Sequence, residues 1–335
     1  MTSSEVKYLP RIGITIGDPA GIGPEIVLNS LNDPGLLKIC EPIIIGDYFH
    51  LDYIAEELGS SINFSKYGDT VSEGSIQILD LDNIEHEKLR FGEESAMTGR
   101  ASAQYIEAAV DLWKTGKIDA IATAPISKNA LKLAGYNFPG HTEFLAELTG
   151  TKEFAMSFFC GDLRVVLVST HLPLREALEK VTKDELVRLI RFSDRQFERL
   201  LGRKVKIAVA GLNPHASEGG MFGSEEAERI APAVEECRSE GIDVSGPYSP
   251  DTIFLRGHKG EFDVVVACYH DQATIAVKSL AFGSAVNVTL GLPLIRTSVD
   301  HGTAFDIAGK FIADASSMAA AIKLAAELAE VKKNA

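Results

Sequence analysis

The sequence has 335 residues, of which 45% are hydrophobic and 24% charged, and its formal net charge is −14. This balance is typical of a globular protein large enough for two domains. The basic residues form no run longer than the pairs Arg203-Lys204 and Lys332-Lys333, which argues against nucleic-acid binding. The four cysteines form no CxxC pair, and no apolar run is long enough for a membrane span or a signal core. We therefore expect a cytoplasmic protein.

Short runs rich in Ile and Val predict strands, and the amphipathic stretches between them predict helices. The predicted strands are 12–16, 42–45, 120–124, 165–169, 205–210, 264–269 and 286–290. The clearest predicted helices are 101–113, 183–201, 224–239 and 316–331. Near-continuous apolar strands suit sheets that are covered on both faces, so the alternation predicts an α/β fold. Gly161-Asp162 predicts a β-hairpin, and Cys160 and Cys268 are expected in the core.

Two turns in the first half of the chain have residues suited to an anion. Residues 17–25, GDPAGIGPE, follow a predicted strand and precede a helix, so backbone N–H groups there could bind a negative charge. The segment is neither GxGxxG nor a P-loop, and a tight turn alone also explains it. In residues 140–143, GHTE, His141 could bind a phosphate or carboxylate, or Thr142 and Glu143 could simply begin a helix.

Three histidines share one context, because His171, His215 and His270 each follow an apolar, strand-like run. Ligands collect beyond the carboxyl ends of strands in α/β folds, so these side chains are placed to converge. Neutral imidazole is a good ligand for zinc and similar divalent metals. The separations match no local metal motif, however, and three unrelated histidines bonded to backbone remain an alternative.

Polar residues also concentrate in the otherwise apolar stretch 287–310. Arg296 in this stretch and Lys278 just upstream are candidate anion-binding residues in a chain with few basic clusters. The alternative is that both form surface ion pairs.

Taken together, these segments resemble the 4-hydroxythreonine-4-phosphate dehydrogenase family of vitamin B6 (pyridoxine) biosynthesis. The matching segments cover nearly the whole chain in order: GDPAGIGPE (17–25), APISK (124–128), GHTEF (140–144), THLPLREA (170–177), GLNPHASEGG (211–220), GPYSPDT (246–252), YHDQ (269–272) and NVTLGLPLIRTSVDHGTAFDIAG (287–309).

The resemblance implies a fold and a set of site residues. The implied fold has two α/β/α domains with mixed sheets, similar to isocitrate and isopropylmalate dehydrogenases, with an active-site cleft between the domains. The expected bounds are 1–125 plus 286–335 for a cofactor-side domain and 126–285 for a metal and dimerisation domain. The implied metal ligands are His171, His215 and His270, and the implied substrate contacts are His141, Thr142, Lys278, Asn287 and Arg296.

The resemblance also implies cofactors and an assembly. The segment 300–309 resembles the adenine-side cofactor loop of isocitrate dehydrogenase, which makes His301, Gly302 and Asp306 candidates for binding NAD or NADP. A divalent metal (zinc, magnesium or cobalt) is expected in a homodimer whose metal site takes ligands from both subunits. Lys128 is a candidate general base.

The implied reaction is oxidation of 4-phosphooxy-L-threonine at C3, followed by loss of CO2 to give 3-amino-2-oxopropyl phosphate. Relatives that oxidise D-threonate or D-erythronate 4-phosphate are the main alternative. Ala273 and the segment 282–285 depart from the family pattern on what we expect to be the substrate side. A protein that binds a metal or an anion without catalysis is a second alternative.

Overall fold

The structure is a computed structural model that describes residues 8–69, 74–281 and 284–334. Their contacts divide the chain into two compact units. The first unit contains the chain up to Lys152 together with Leu292–Lys333, and the second contains Glu153–Gly291. The first unit is therefore discontinuous in sequence.

The chain up to Thr149 alternates strands with helices. The strands are β1 (Arg11–Thr15), β2 (Glu41–Gly46), β3 (Asn63–Lys66), β4 (Ser75–Asp80) and β5 (Ala120–Thr123). The helices are α1 (Gly23–Leu31), α2 (Pro34–Leu37), α3 (Tyr48–Glu57), α4 (Ala96–Lys114), α5 (Lys128–Leu133) and α6 (His141–Thr149).

The second unit begins with a hairpin and continues with alternating elements. Its strands are β6 (Ala155–Cys160), β7 (Leu163–Leu167), β8 (Ile207–Ala210), β9 (Val244–Tyr248), β10 (Val264–Ala267) and β11 (Val286–Leu290). Its helices are α7 (Leu174–Lys180), α8 (Lys183–Leu201), α9 (Ala231–Ser239), α10 (Pro250–His258) and α11 (His270–Ala281). The chain then returns to the first unit as β12 (Ile295–Ser298) and α12 (Ser316–Asn334).

Strand pairing differs between the units. In the first unit the order is β3-β4-β2-β1-β5-β12, and these neighbours pair in parallel. In the second unit the order is β11-β6-β7-β10-β8-β9, in which β6 pairs antiparallel with β7 and β11, while the remaining pairs are parallel. The carboxyl ends of β7, β10 and β8 therefore lie side by side at one edge of the second sheet.

The segment 126–152 lies in the first unit, whereas the sequence prediction assigned it to the second domain. Helix α5 packs directly on α4, and a Cβ added at Gly99 of α4 would lie 1.9 Å from the Ala130 carbonyl oxygen. The Ser127 hydroxyl caps α5 by accepting from the Ala130 N–H at 3.1 Å. This close helix contact explains why the segment belongs with the strands that precede it.

The predicted α/β fold is confirmed, and each of the seven predicted strands overlaps an observed strand. The hairpin at Gly161-Asp162 is the turn between β6 and β7. The predicted helix 224–239 begins instead as a π-helical turn, Glu226–Ile230, before α9. Cys160 and Cys268 are buried as expected. Among the described helices, none is long and apolar enough to cross a membrane.

Candidate active site

Two of the predicted metal ligands lie together at the carboxyl edge of the second sheet. His171 follows β7 and His270 begins α11 directly after β10, and these two strands are paired in parallel. Their ring centroids are 5.5 Å apart. Both rings line a cavity of about 160 Å³ together with Thr170, Tyr269 and Asp271. The parallel register of the two strands is thus what brings the two imidazoles together.

Asp271 orients the ring of His270. Its Oδ1 lies 2.7 Å from His270 Nδ1, so the carboxylate favours a proton on Nδ1 and leaves Nε2 as a lone-pair donor. A carboxylate behind a histidine in this way is the usual partner of a metal-binding imidazole. The donor chemistry of His171 and His270 therefore fits a borderline divalent metal such as zinc or cobalt.

The third predicted ligand, His215, is placed apart from this pair. Its ring is exposed, and Nδ1 lies 4.0 Å from Asp251 Oδ2. Among residues 8–69, 74–281 and 284–334, no three His, Cys, Asp or Glu side chains are placed to hold one metal ion. Within one chain, the structure therefore brings together two of the three predicted ligands.

The backbone that carries His215 is left-handed. The φ angles of His215, Ala216, Ser217 and Glu218 lie between 43° and 70°, within the turn formed by Pro214–Gly220. This conformation costs roughly 1–2 kcal/mol for each residue that has a Cβ, so the turn must be held by its surroundings. Strain of this kind concentrates at functional sites. The sequence did not predict this left-handed conformation. Glycine adopts positive φ readily, but in this segment it occupies only the last two positions.

Two predicted substrate residues lie in the second unit. Lys278 is exposed on α11, two turns beyond His270. Asn287 lies on β11 with its side chain partly buried, and its Oδ1 has no hydrogen-bond partner among the described residues. A buried amide oxygen without a partner is costly, and a ligand donor would satisfy it.

Arg296 is a buried cation in the first unit. It lies on β12 with 3% of its surface exposed, and Nη2 donates to Thr123 Oγ1 of β5 at 2.8 Å. Burial lowers the pKa of Arg296 to about 10, so the guanidinium still carries its charge at pH 7. The hydroxyl of Thr123 and the charge of Glu143, which raises the pKa of Arg296, offset part of the cost of burial, and a guanidinium held in this way is suited to an anionic ligand. The alternative of a surface ion pair does not apply to this side chain.

His141 shares the surroundings of Arg296. It is the first residue of α6, and its Nε2 is buried without a hydrogen-bond partner among the described residues. Burial, with a smaller contribution from the Arg296 charge, holds the pKa of His141 well below its usual value. A neutral imidazole that can accept or donate one hydrogen bond is therefore available beside the guanidinium. Thr142 occupies the next position of the same helix.

Lys128, the candidate base, lies at the start of α5 with an exposed side chain. A Cβ added at Gly140 would lie 3.9 Å from Lys128 Cε, so this amine reaches the turn that precedes His141. The structure thereby groups Lys128, His141 and Arg296 in the first unit.

The candidate cofactor loop packs against the glycine-rich turn. Ile22 N donates to the Thr303 carbonyl oxygen at 3.0 Å, and a Cβ added at Gly21 would lie 2.9 Å from that same oxygen. His301, Gly302 and Asp306 are exposed on this loop, and His301 Nδ1 lies 3.0 Å from the Gly302 carbonyl. The sequence did not predict that these two segments touch. They form one surface in the first unit.

Asp18, also in the glycine-rich turn, is fully buried. Its Oδ1 accepts from the Ala20 N–H at 2.9 Å. Burial raises the pKa of Asp18 to about 6, despite the hydrogen bond from Ala20 that lowers it. Sequence inspection missed this group, because aspartate side chains are mostly exposed in folded proteins.

Comparison with known proteins identifies the family. The family model of the pyridoxal phosphate biosynthetic protein PdxA matches residues 38–325. The chain belongs to the PdxA family. The family resemblance that the sequence motifs indicated is therefore confirmed.

Relatives within the PdxA family carry two different names. A 4-hydroxythreonine-4-phosphate dehydrogenase of Desulforapulum autotrophicum is 47% identical over 95% of both chains. A D-threonate 4-phosphate dehydrogenase of Cupriavidus necator is also 47% identical, over 96% of this chain and 98% of that one. The crystal structure of the Klebsiella pneumoniae 4-hydroxythreonine-4-phosphate dehydrogenase matches 96% of this chain and 99% of that chain, with 42% identity and a TM-score of 0.88. The chain is therefore a PdxA-family dehydrogenase.

The two departures from the PdxA-family pattern have different places. Ala273 is fully buried in the core of the second unit, where α11 packs on side chains such as Phe158 and Val265. Its methyl group is therefore a packing feature, contrary to the expected position on the substrate side. In the second departure, 282–283 lie outside the described residues, Ser284 is exposed and Ala285 belongs to the same core.

Proposed function

We propose that this PdxA-family chain is a metal-dependent dehydrogenase that uses NAD+ or NADP+ to oxidise 4-phosphooxy-L-threonine to 2-amino-3-oxo-4-phosphooxybutanoate, which then loses CO2. The observation that carries the proposal is the pair of His171 and His270, 5.5 Å apart beside a small cavity, with His270 oriented by Asp271. Relatives named for this substrate, at up to 47% identity, support it.

In this proposal His171 and His270 would hold a divalent metal ion, zinc or cobalt by their donor chemistry, through their ring nitrogens. When bound, the metal supplies Lewis-acid stabilisation of negative charge that develops on the substrate oxygens. Asp271 keeps His270 in the tautomer that presents Nε2. Asn287 and Lys278, in the same unit, offer an amide and a cation to the polar groups of the substrate.

The first unit supplies the groups that bind an anion and move a proton. Arg296 offers a preformed guanidinium whose position Thr123 fixes, so little order is lost when a phosphate or carboxylate binds. His141 and Thr142 add neutral hydrogen bonds. Lys128, in its neutral amine form, accepts the proton of the substrate hydroxyl. The nicotinamide dinucleotide binds on the loop that carries His301, Gly302 and Asp306.

We further propose that the enzyme is a homodimer in which His215 of the partner subunit completes the ligand set of His171 and His270. Large apolar side chains next to these histidines are exposed: Leu172 by 40%, Leu174 by 58%, Met221 by 73% and Phe222 by 43%. A second copy would cover this surface and bring its own His215 to the pair. The separation of His215 from the pair within one chain supports this arrangement.

Mixed dimers test the shared site. Dimers formed from His171→Ala and His215→Ala chains should regain roughly a quarter of the parental activity, since half of randomly mixed dimers are mixed and each contains one intact site. Mixtures of His171→Ala with His270→Ala are the matched control, because these two changes always leave both sites defective. Recovery in both mixtures, or in neither, contradicts a site shared between subunits.

A substrate panel tests the reaction. Formation of NADH or NADPH is followed with 4-phosphooxy-L-threonine, D-threonate 4-phosphate and D-erythronate 4-phosphate, with and without added divalent metal. The highest kcat/KM is expected for 4-phosphooxy-L-threonine. D-threonate 4-phosphate is the second candidate, because a relative with that name is equally similar at 47% identity. Absence of turnover with all three would favour a protein that binds a metal or anion without catalysis.

A further inference from the structure

A buried carboxylate holds the loop that carries His215. Glu226, in the π-helical turn before α9, is 4% exposed. Its Oε1 accepts from the backbone N–H groups of Leu212 and Asn213 at 2.8 and 2.7 Å. Its Oε2 accepts from Asn213 Nδ2 at 2.9 Å. The single carboxylate therefore fixes both the backbone and the side chain that directly precede Pro214 and His215.

Gln272 also holds this loop, at the residue before Leu212. Its Nε2 donates to the Gly211 carbonyl oxygen at 2.8 Å, and its Oε1 accepts from the Cys268 N–H at 2.7 Å. Gln272 stands two residues after His270 and Cys268 two residues before it. The side chain thus links the segment that carries His270 to the segment that carries His215.

A further bond extends this link to His171. The Ser169 hydroxyl, two residues before His171, donates to the Cys268 carbonyl oxygen at 3.3 Å. The carboxyl ends of β7, β10 and β8 are therefore joined by hydrogen bonds that run from Ser169 through Gln272 to Glu226. These bonds fix the starting point of each segment that ends in a candidate metal ligand.

The left-handed turn at His215 depends on this hydrogen-bond network, which fixes the backbone before it. Residues His215 to Glu218 adopt a conformation that L side chains disfavour, so the turn persists only where the flanking backbone is fixed. At its far end the Ser217 hydroxyl donates to the Gly223 carbonyl. At its near end the fixing groups are Glu226 and Gln272.

We infer that Glu226 and Gln272 are positioning residues that hold the 211–213 segment and thereby set the pose in which His215 binds the metal. The inference rests on the proposed role of His215 as a metal ligand. Neither side chain touches the metal or the substrate in this role. Their removal leaves the imidazole present but lets the turn relax away from the pose that binding needs.

The test measures Co²⁺ affinity of the purified full chain by competition with a chromophoric chelator, together with the visible absorption of the bound Co²⁺. Glu226→Ala should weaken Co²⁺ binding about tenfold or more and change the visible spectrum, as loss of a group that orients a ligand does. Glu226→Gln keeps the oxygen that accepts from both backbone N–H groups, so it should restore most of the affinity. Glu228→Ala, an exposed acid in the same turn, is the matched control and should bind as the parent does.

A second variant covers the case in which Glu226→Ala does not fold. Gln272→Glu keeps the acceptor for Cys268 but loses the donor to Gly211, so it should also weaken Co²⁺ binding and speed amide exchange at residues 211–217 of the metal-free protein. Parental affinity and spectrum in Gln272→Glu, with unchanged binding in any folded Glu226→Ala protein, would overturn the positioning role alone. Failure of the parent chain to bind Co²⁺ would overturn the proposed metal site and this inference with it.

Discussion

Replacing Asp18 by Asn should stabilise the protein at neutral pH and leave it almost unchanged in acid. The folded chain raises the pKa of Asp18 from 3.8 to about 6, chiefly because the carboxyl group is fully buried. At about 1.4 kcal/mol for each pKa unit, this rise corresponds to about 3 kcal/mol. The folded chain binds the proton more tightly than the unfolded chain, so stability is lost as the pH rises from about 4 to about 6.

Asparagine carries no charge to desolvate, and its Oδ1 can still accept from the Ala20 N–H. The free energy of unfolding, measured by urea titration, should therefore be nearly equal for Asp18→Asn and the parent at pH 4. The variant should be more stable by up to about 3 kcal/mol at pH 7.5. Asp52→Asn, at an exposed position of α3, is the control and should show no such divergence. A difference between Asp18→Asn and the parent that does not change with pH would refute the reasoning.

Three further predictions follow from the site and its backbone. Arg296→Ala should lower kcat/KM tenfold or more, because charge-assisted hydrogen bonds contribute about 1.5–3 kcal/mol each, whereas Arg195→Ala, at a surface ion pair, should not. Gly219→Ala should lower the free energy of unfolding by about 1 kcal/mol in urea titration. The added methyl group would contact nothing, but φ at Gly219 is +70°, which alanine disfavours. Gly302→Ala, where the methyl group also has open space and φ is not positive, should lower the free energy of unfolding less. Asp271→Asn should weaken metal binding about tenfold in chelator competition, and an unchanged Kd would remove its carboxylate from the site.

Apolar runs predicted seven of the strands, because side chains on both faces of those strands pack in cores. Strand β12 was missed because its sequence, Ile-Arg-Thr-Ser, is not an apolar run. It places the charged residue Arg296 inside the sheet. Polar residues at strand ends predicted candidate ligands, and the parallel pairing of β7 with β10 accounts for the contact of His171 with His270.

Other features depend on contacts between residues distant in sequence. Glu226 lies in a stretch that reads as an ordinary amphipathic helix, and its role becomes visible only when the end of β8 is placed beside it. The left-handed turn at His215 involves Ala, Ser and Glu, which local propensity would place in other conformations. The roles of the candidate metal, substrate and cofactor residues stay predictions.

The discontinuity of the first unit has a consequence for synthesis on the ribosome. The second unit lies almost entirely in one continuous segment, Glu153–Gly291, and can fold once Gly291 has emerged, whereas the first unit, although translated earlier, must wait for β12 and α12. Until then the edge of β5 that pairs with β12 has no neighbouring strand. The Ala313 N–H, which donates to Glu25 of α1, is also absent. Such late pairing exposes a strand edge to other chains. Because Arg296 arrives on the last strand, a nascent chain could bind the anion that we propose for Arg296 only near the end of translation.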